Sequence, residues 1–285
     1  GAIGFSTSNH QQALTLDTHG RLGIGASNNT AYDSNAQNLL LASDGNTGMT
    51  IRSAGSTPFA MIHFADGTNG QAEQRAGRIM YQHVGDNLTL HTANTERLRI
   101  DSAGRLLAGT TTEGHTDADD LTLQAASGFT GITLRSATDM GGAVYFSDAT
   151  SGDSEYDGQI VYYQSTRQLM FATAATPRLR ITNSGQILLG TTDAGINSGD
   201  NLTIADSGNC GITIRSGTSS QGNIFFSDGT SGNSEYDGYI QYQQDTQSML
   251  FGTGGGTERL RITSTGRMGL GTNDPNALLE VRDSE

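Results

Sequence analysis

The stretch "ERLRITSTGRMGLGTNDP" at residues 258–275 is written twice more upstream, as "ERLRIDSAGRLLAGT" at 96–110 and "PRLRITNSGQILLGT" at 177–191. A fragment of the same text, "LTLDTHGRLGIGA", lies at 14–26. Arg99, Arg180 and Arg261 are spaced by 81 residues (180 − 99 and 261 − 180), as are Gly104, Gly185 and Gly266, while Gly20 precedes Gly104 by 84 (104 − 20). A fixed period of this kind sets the architecture before any local reading. It divides the chain into the end of a preceding repeat (1–26), three repeats (27–110, 111–191 and 192–272) and the start of a C-terminal segment (273–285). A catalytic site is normally built once per chain, from unlike residues. The residues copied here are strand formers, turn glycines and arginines, so the recurring text reads as a building part.

The rest of the repeat supports the same division. "GMTIRS" (48–53), "GITLRS" (131–136) and "GITIRS" (211–216) correspond, and "VYFSDATSGDSEYDGQIVYY" (144–163) matches "IFFSDGTSGNSEYDGYIQYQ" (224–243). The first copy, "IHFADGTNGQAEQRAGRIMYQ" (62–82), is looser and carries an insertion, so it is expected to deviate near 54–77. "DLTLQ", "GITLR", "AVYFS", "QIVYY", "QLMFAT", "RLRIT" and "QILLGT" alternate with period two or form short apolar runs, separated by Gly, Ser, Asn and Asp clusters. About seven strands per repeat and little or no helix are expected, with the ambiguous "NAQNLLLA" (35–42) read as strand. In "RLRIT", Leu179 and Ile181 face one way, and Arg178 and Arg180 face off the core. Strands this short need covered edges, which an obligate oligomer of neighbouring chains supplies.

Composition narrows the function classes. Only 34% of the 285 residues are hydrophobic and 6% aromatic, without Trp, which is thin for a self-contained core. The formal charge of −13 argues against nucleic acid as a partner. No apolar run reaches the roughly 20 residues of a membrane-spanning helix. No signal peptide is visible in "GAIGFSTSNH" (1–10), and the chain is expected to start inside a longer protein. All 16 basic residues are Arg. Twelve recur at equivalent places: Arg52, Arg135 and Arg215; Arg97, Arg178 and Arg259; Arg99, Arg180 and Arg261; Arg21, Arg105 and Arg267. The forked guanidinium suits fixed carboxylate pairs, so structural ion pairing is the expected role. The one cysteine, Cys210, rules out an intrachain disulfide and reads as a small buried thiol.

No motif carries chemistry with enough specificity to name a catalytic, cofactor or metal residue. "GRMGLG" and "GRLGIG" run G-x-x-G-x-G, the reverse of a dinucleotide loop, with no helix following. "DSEYDG" (153–158) and "NSEYDG" (233–238) resemble the start of a calcium loop. Gln164 and Gln244 stand where the closing acid belongs, and Arg75 replaces Asp157 in the first repeat, so strand-connecting turns are expected. His10, His19, His63, His83, His91 and His115 show no ligand spacing. Asp119/Asp120 and Glu155/Asp157 are carboxylate pairs of the type that cleaves glycosides, but no Trp lines a sugar groove. The chain is not expected to be an enzyme.

The unit "ERLRI-x-s-x-G-R-x-x-x-GT" followed by "NDP", with "IRS", "FSDGTSG", "YDGYIQY" and "MLFGTG" upstream, resembles the tail fibre repeats of bacteriophages, notably marine phages and cyanophages. "GLGTNDPNALLEV" (269–281) resembles the segment preceding a self-cleaving, trimer-forming chaperone domain, and "RDSE" the end such cleavage leaves. The resemblance implies an elongated homotrimeric fibre of interchain β-sheets, located on the virion and extracellular. It implies contacts with other tail proteins and with a host surface polysaccharide or protein receptor, without cofactor or membrane insertion. A polysaccharide-degrading tailspike and a bacterial surface adhesin are the alternatives.

Overall fold

The computed structural model describes residues 3–7, 10–25, 38–42, 46–55 and 58–283. The chain divides into two compact units, Gly1–Thr133 and Leu134–Glu285. The first holds two sheets. One is four-stranded, from β1 (Ile3–Thr7), β2 (His10–Leu16), β3 (Leu22–Ile24) and β4 (Leu39–Leu41). The other is six-stranded, from β5 (Phe59–Phe64), β6 (Gly77–Gln82), β7 (Asn87–Thr92), β8 (Thr95–Ile100), β9 (Leu106–Ala108) and β10 (Leu121–Leu123).

The second unit repeats the six-stranded sheet twice. Its first copy comprises β11 (Gly141–Phe146), β12 (Gly158–Tyr163), β13 (Gln168–Thr173), β14 (Thr176–Ile181), β15 (Ile187–Leu189) and β16 (Leu202–Ile204). Its second comprises β17 (Gln221–Phe226), β18 (Gly238–Gln243), β19 (Ser248–Thr253), β20 (Thr257–Ile262), β21 (Met268–Leu270) and β22 (Leu279–Val281). In each sheet of both units the last strand joins in parallel, and every other pairing is antiparallel. The parallel strand comes from beyond the end of the recurring text: β10, β16 and β22 follow the boundaries at 110, 191 and 272. The structural repeat is therefore offset from the written one.

Two expectations about elements are corrected. Among the described residues each full repeat has six strands rather than about seven, because "GITLR" (131–135) and its copies form no ladder there. "NAQNLLLA" contributes β4 only from Leu39 to Leu41, and residues 35–37 lie outside the described residues. Helix among the described residues amounts to the four-residue α1 (Gln71–Gln74) and two 3-10 turns, Asp153–Tyr156 and Gly232–Tyr236. The insertion in the first repeat explains the difference between them. Asp66 to Gly77 spans 11 residues (77 − 66), against 10 from Asp148 to Gly158 and from Asp228 to Gly238. The extra residue turns a 3-10 turn into one α-helical turn.

The uniform 81-residue interval also conceals two compensating changes. β11 and β17 start 80 residues apart (221 − 141), and the two-residue turn Ala174–Ala175 becomes the three-residue turn Gly254–Gly256, restoring 81 from β14 to β20 (257 − 176).

Register fixes which residues share a face, because directly opposed residues in neighbouring strands project to the same side. One row of the third sheet runs Ala143, Val161, Met170, Arg180, Leu188 and Thr203. Val161, Met170 and Leu188 are buried there, as are the equivalent Leu250 and Leu107 in the other two sheets. The row on the opposite face is Val144, Ile160, Phe171, Leu179, Leu189 and Ile204. None of its members is buried. The fourth sheet repeats it as Ile224, Ile240, Phe251, Leu260, Leu270 and Val281. The second has Ile62, Ile79, Leu90, Leu98, Ala108 and Leu123. Again no member is buried. The expectation that Leu179 and Ile181 mark the core face is therefore inverted: the buried residues lie on the side of Arg180. The cause is that each sheet is a single layer whose most apolar face meets no second layer within its own unit.

Candidate functional site

Arg99, Arg180 and Arg261 stand on the buried side, and a β-bulge brings the residue three positions earlier to the same side. Leu179 opposes Phe171, but Pro177 opposes Ala172, so Arg178 is the extra residue; Arg97 and Arg259 occupy the same place. Along a regular strand, residues three apart point to opposite faces. The bulge adds one residue and brings them to the same face. Arg99 uses this to grip Glu96 with both arms of its fork, Nε to Oε1 at 2.7 Å and Nη2 to Oε2 at 2.9 Å. Arg261 grips Glu258 in the same way, at 2.7 Å for each arm. The hydrogen bonds to Glu258 hold the Arg261 pKa above its ordinary value, with burial opposing them. The second repeat has Pro177 where the glutamate belongs, so the half-buried Arg180 has no carboxylate partner among the described residues.

A shallow cleft recurs beside each bulge, with volumes of about 340–350 Å³. Arg97, Gly109 and Thr110 line the first, Arg178, Gly190 and Thr191 the second, and Arg259, Gly271 and Thr272 the third. The glycine of each "GT" has φ between 71° and 74°. A Cβ there would lie 2.1–2.2 Å from the carbonyl oxygen of Gln124, Ala205 or Arg282, just beyond the parallel strand. Glycine is thus required by the close approach of that strand, not by a phosphate. Glu96 and Glu258 line the outer two clefts, whereas the middle one has Arg178 and Arg180 and no acid.

The turn before each "GT" strand is closed differently from copy to copy. Asp17 and Asp101 accept from the backbone N–H groups of Arg21 and Arg105 and from their guanidinium groups. Both carboxyls are held below the ordinary range. For Asp17 the Arg21 N–H is the leading cause; for Asp101, burial raises the pKa but the bonds to Arg105 and Ala103 outweigh it. Arg105 also reaches Asp119 at 2.8 Å and Glu113 at 3.8 Å. Thr182 and Thr263 replace the aspartate in the later copies.

The remaining singled-out residues lie apart from these clefts. The "DSEYDG" turn forms the 3-10 turn Asp153–Tyr156, in which Tyr156 donates to Asp153 at 2.8 Å. Asp157 and Asp148 line an open cleft of about 370 Å³ next to it. His91 is buried between Arg78 (Nη2 to Nδ1, 2.9 Å) and Thr89 (Oγ1 to Nε2, 3.0 Å). Burial foremost, with Arg78 adding to it, pushes the His91 pKa down. His83 stacks edge-on against Tyr81. His19 and His63 are within hydrogen-bonding distance of Thr18 and the Gln74 carbonyl, and His115 pairs with Asp117. Among the described residues no group of three or more His, Cys, Asp or Glu is placed to hold a metal ion. Cys210 is exposed rather than buried, its Sγ lying 3.4 Å from the Ile204 carbonyl oxygen, because the stretch that carries it packs under nothing. "GRMGLG" (266–271) is the end of the turn after β20, where Gly266 N–H donates to Thr263 O at 2.9 Å, followed by β21. Sequence reasoning missed the bulge, and with it the pairing of Glu96 with Arg99, because residues three apart in a strand pattern read as opposed. No helix among the described residues is long and apolar enough to cross a membrane. No protein-family model matches the chain, and no curated protein matches it either.

Proposed function

We propose that this chain is a structural part of a phage tail fibre, a homotrimeric shaft segment on the virion that presents or contributes to contact with the host-cell receptor. The observation that carries the reading is the uncovered apolar row across every full six-stranded sheet. Apolar rows left uncovered across three sheets drive association. A part written three times, whose outward chemistry is fixed ion pairs and turns, suits a shaft. The number of chains, the virion and the neighbouring tail proteins come from the resemblance of "ERLRI…GT" and its companions to tail fibre repeats.

The test is the solution mass of the folded chain by light scattering. Three chains of 29.9 kDa give about 90 kDa. A well-folded monomer overturns the reading.

A further inference from the structure

Three stretches of the chain are apolar on alternate positions and belong to no sheet: "GMTIRS" (48–53), "GITLRS" (131–136) and "GITIRS" (211–216). Among the described residues no backbone N–H or carbonyl in any of them takes part in a hydrogen bond. Met49, Ile51, Ile132, Leu134, Ile212 and Ile214 are all exposed, Ile212 at 71%. At the end of each stretch the serine hydroxyl (Ser53, Ser136, Ser216) is buried without a hydrogen-bond partner. An unpaired strand is a template for pairing with another chain, and a buried hydroxyl without a partner is an arrangement left incomplete. The same defect in all three copies is part of the repeat.

We infer that these three stretches are intermolecular strands, each of which adds to the free edge of a six-stranded sheet in another copy of this chain. The inference rests on the assembly proposed above. Length selects the edge: six residues match β5, β11 and β17, which are six residues long, and not the three-residue strands at the opposite edges. Side chains agree. Leu134 lies 3.4 Å from where a Gly142 Cβ would be, and Ile214 lies 3.3 Å from the equivalent point on Gly222, so the second and third stretches already lie against an edge strand without bonding to it. Ile214 also walls an apolar groove of about 220 Å³ with Ile224, Ile240 and Met249 of the uncovered face.

Charge selects the occupant. Among the described residues Arg135 and Arg215 have no carboxylate partner, and Glu155, Asp157, Glu235 and Asp237, in the turns that leave β11 and β17, have no guanidinium partner. A partner that satisfies all three stretches together must carry three such edges in the same order, which describes this chain. Backbone pairing supplies the attachment and the alternate apolar side chains its register.

Hydrogen exchange on the full chain, with the mass measured on the same sample, tests this. Residues 131–136 and 211–216 should exchange at least about 100-fold more slowly than an unstructured peptide. An oligomer in which they exchange freely overturns the strand inference and leaves assembly standing. A monomer overturns both, whether or not they are protected. The double variant Ile212→Pro, Thr213→Pro removes adjacent amides, one of which must face the partner. It should release protection in β17 while β18 to β20 keep theirs. Unchanged exchange in β17 overturns the inference.

Discussion

Arg180 differs from its equivalents through one neighbour. Arg99 and Arg261 each hold a glutamate three positions earlier in a two-armed grip, and Arg180 has Pro177 there. Within the chain, Arg180→Ala should therefore cost less than Arg261→Ala. A half-exposed pair contributes about 0–1 kcal/mol. Pro177→Glu should rebuild the grip and raise the thermal midpoint at low salt, an increase that 1 M salt removes. Two results would count against this: no salt-sensitive gain from Pro177→Glu, or Arg180→Ala proving the costliest of the three. The second would mean that another chain supplies the missing carboxylate, where removing one partner of a desolvated pair costs about 3–5 kcal/mol.

Turns decide how the strands of each repeat are spaced, and one of them contradicts its own sequence. The hairpin between β13 and β14 turns on Ala174 and Ala175, both with φ near +50°. L-residues with a Cβ reach that region at a cost of roughly 1–2 kcal/mol each, and two-residue hairpins prefer Asn-Gly there. Replacing Ala174–Ala175 with Asn-Gly should stabilise the second repeat by about 1–2 kcal/mol in denaturant melts, without changing the solution mass. No gain would mean that neighbouring contacts already offset the strain. Nothing in "FATAATPRL" announces this turn, since neither alanine signals left-handed backbone. Elsewhere the elements were legible. Strand alternation and glycine spacing gave the antiparallel strands from β12 to β15 and their copies, because local pattern decides those. The ladder state of "GITLRS" was not legible, because a strand pattern records which faces are apolar and not whether a neighbouring strand is there to pair. The inverted face of Leu179 and Ile181 has the same origin. Alternation fixes two faces but not which of them meets a second layer, and within the unit the more apolar one meets none.

At the scale of the whole molecule, the uncovered face yields the sharpest contrast between a lone chain and an assembled one. Phe171 lies in the middle of the exposed row of the third sheet, flanked by Ile160 and Leu179. In an isolated chain Phe171→Asp changes a partly solvated position, and a surface substitution of that kind is usually worth within about 0.5 kcal/mol. In an assembly that buries this face, each copy loses about 1.5–3 kcal/mol of apolar burial and leaves a carboxylate without a partner, which costs more again. Phe171→Asp should therefore give soluble chains of monomer mass whose β-structure survives by circular dichroism. Val161→Asp is the control. Val161 is 4% exposed on the other face and packs with Met170 and Ala172, so its loss should unfold the third sheet whatever the assembly state. If Phe171→Asp leaves mass and melting temperature unchanged, the face is not buried between chains. The apolar rows would then need another cover, and the shaft reading would lose its main support.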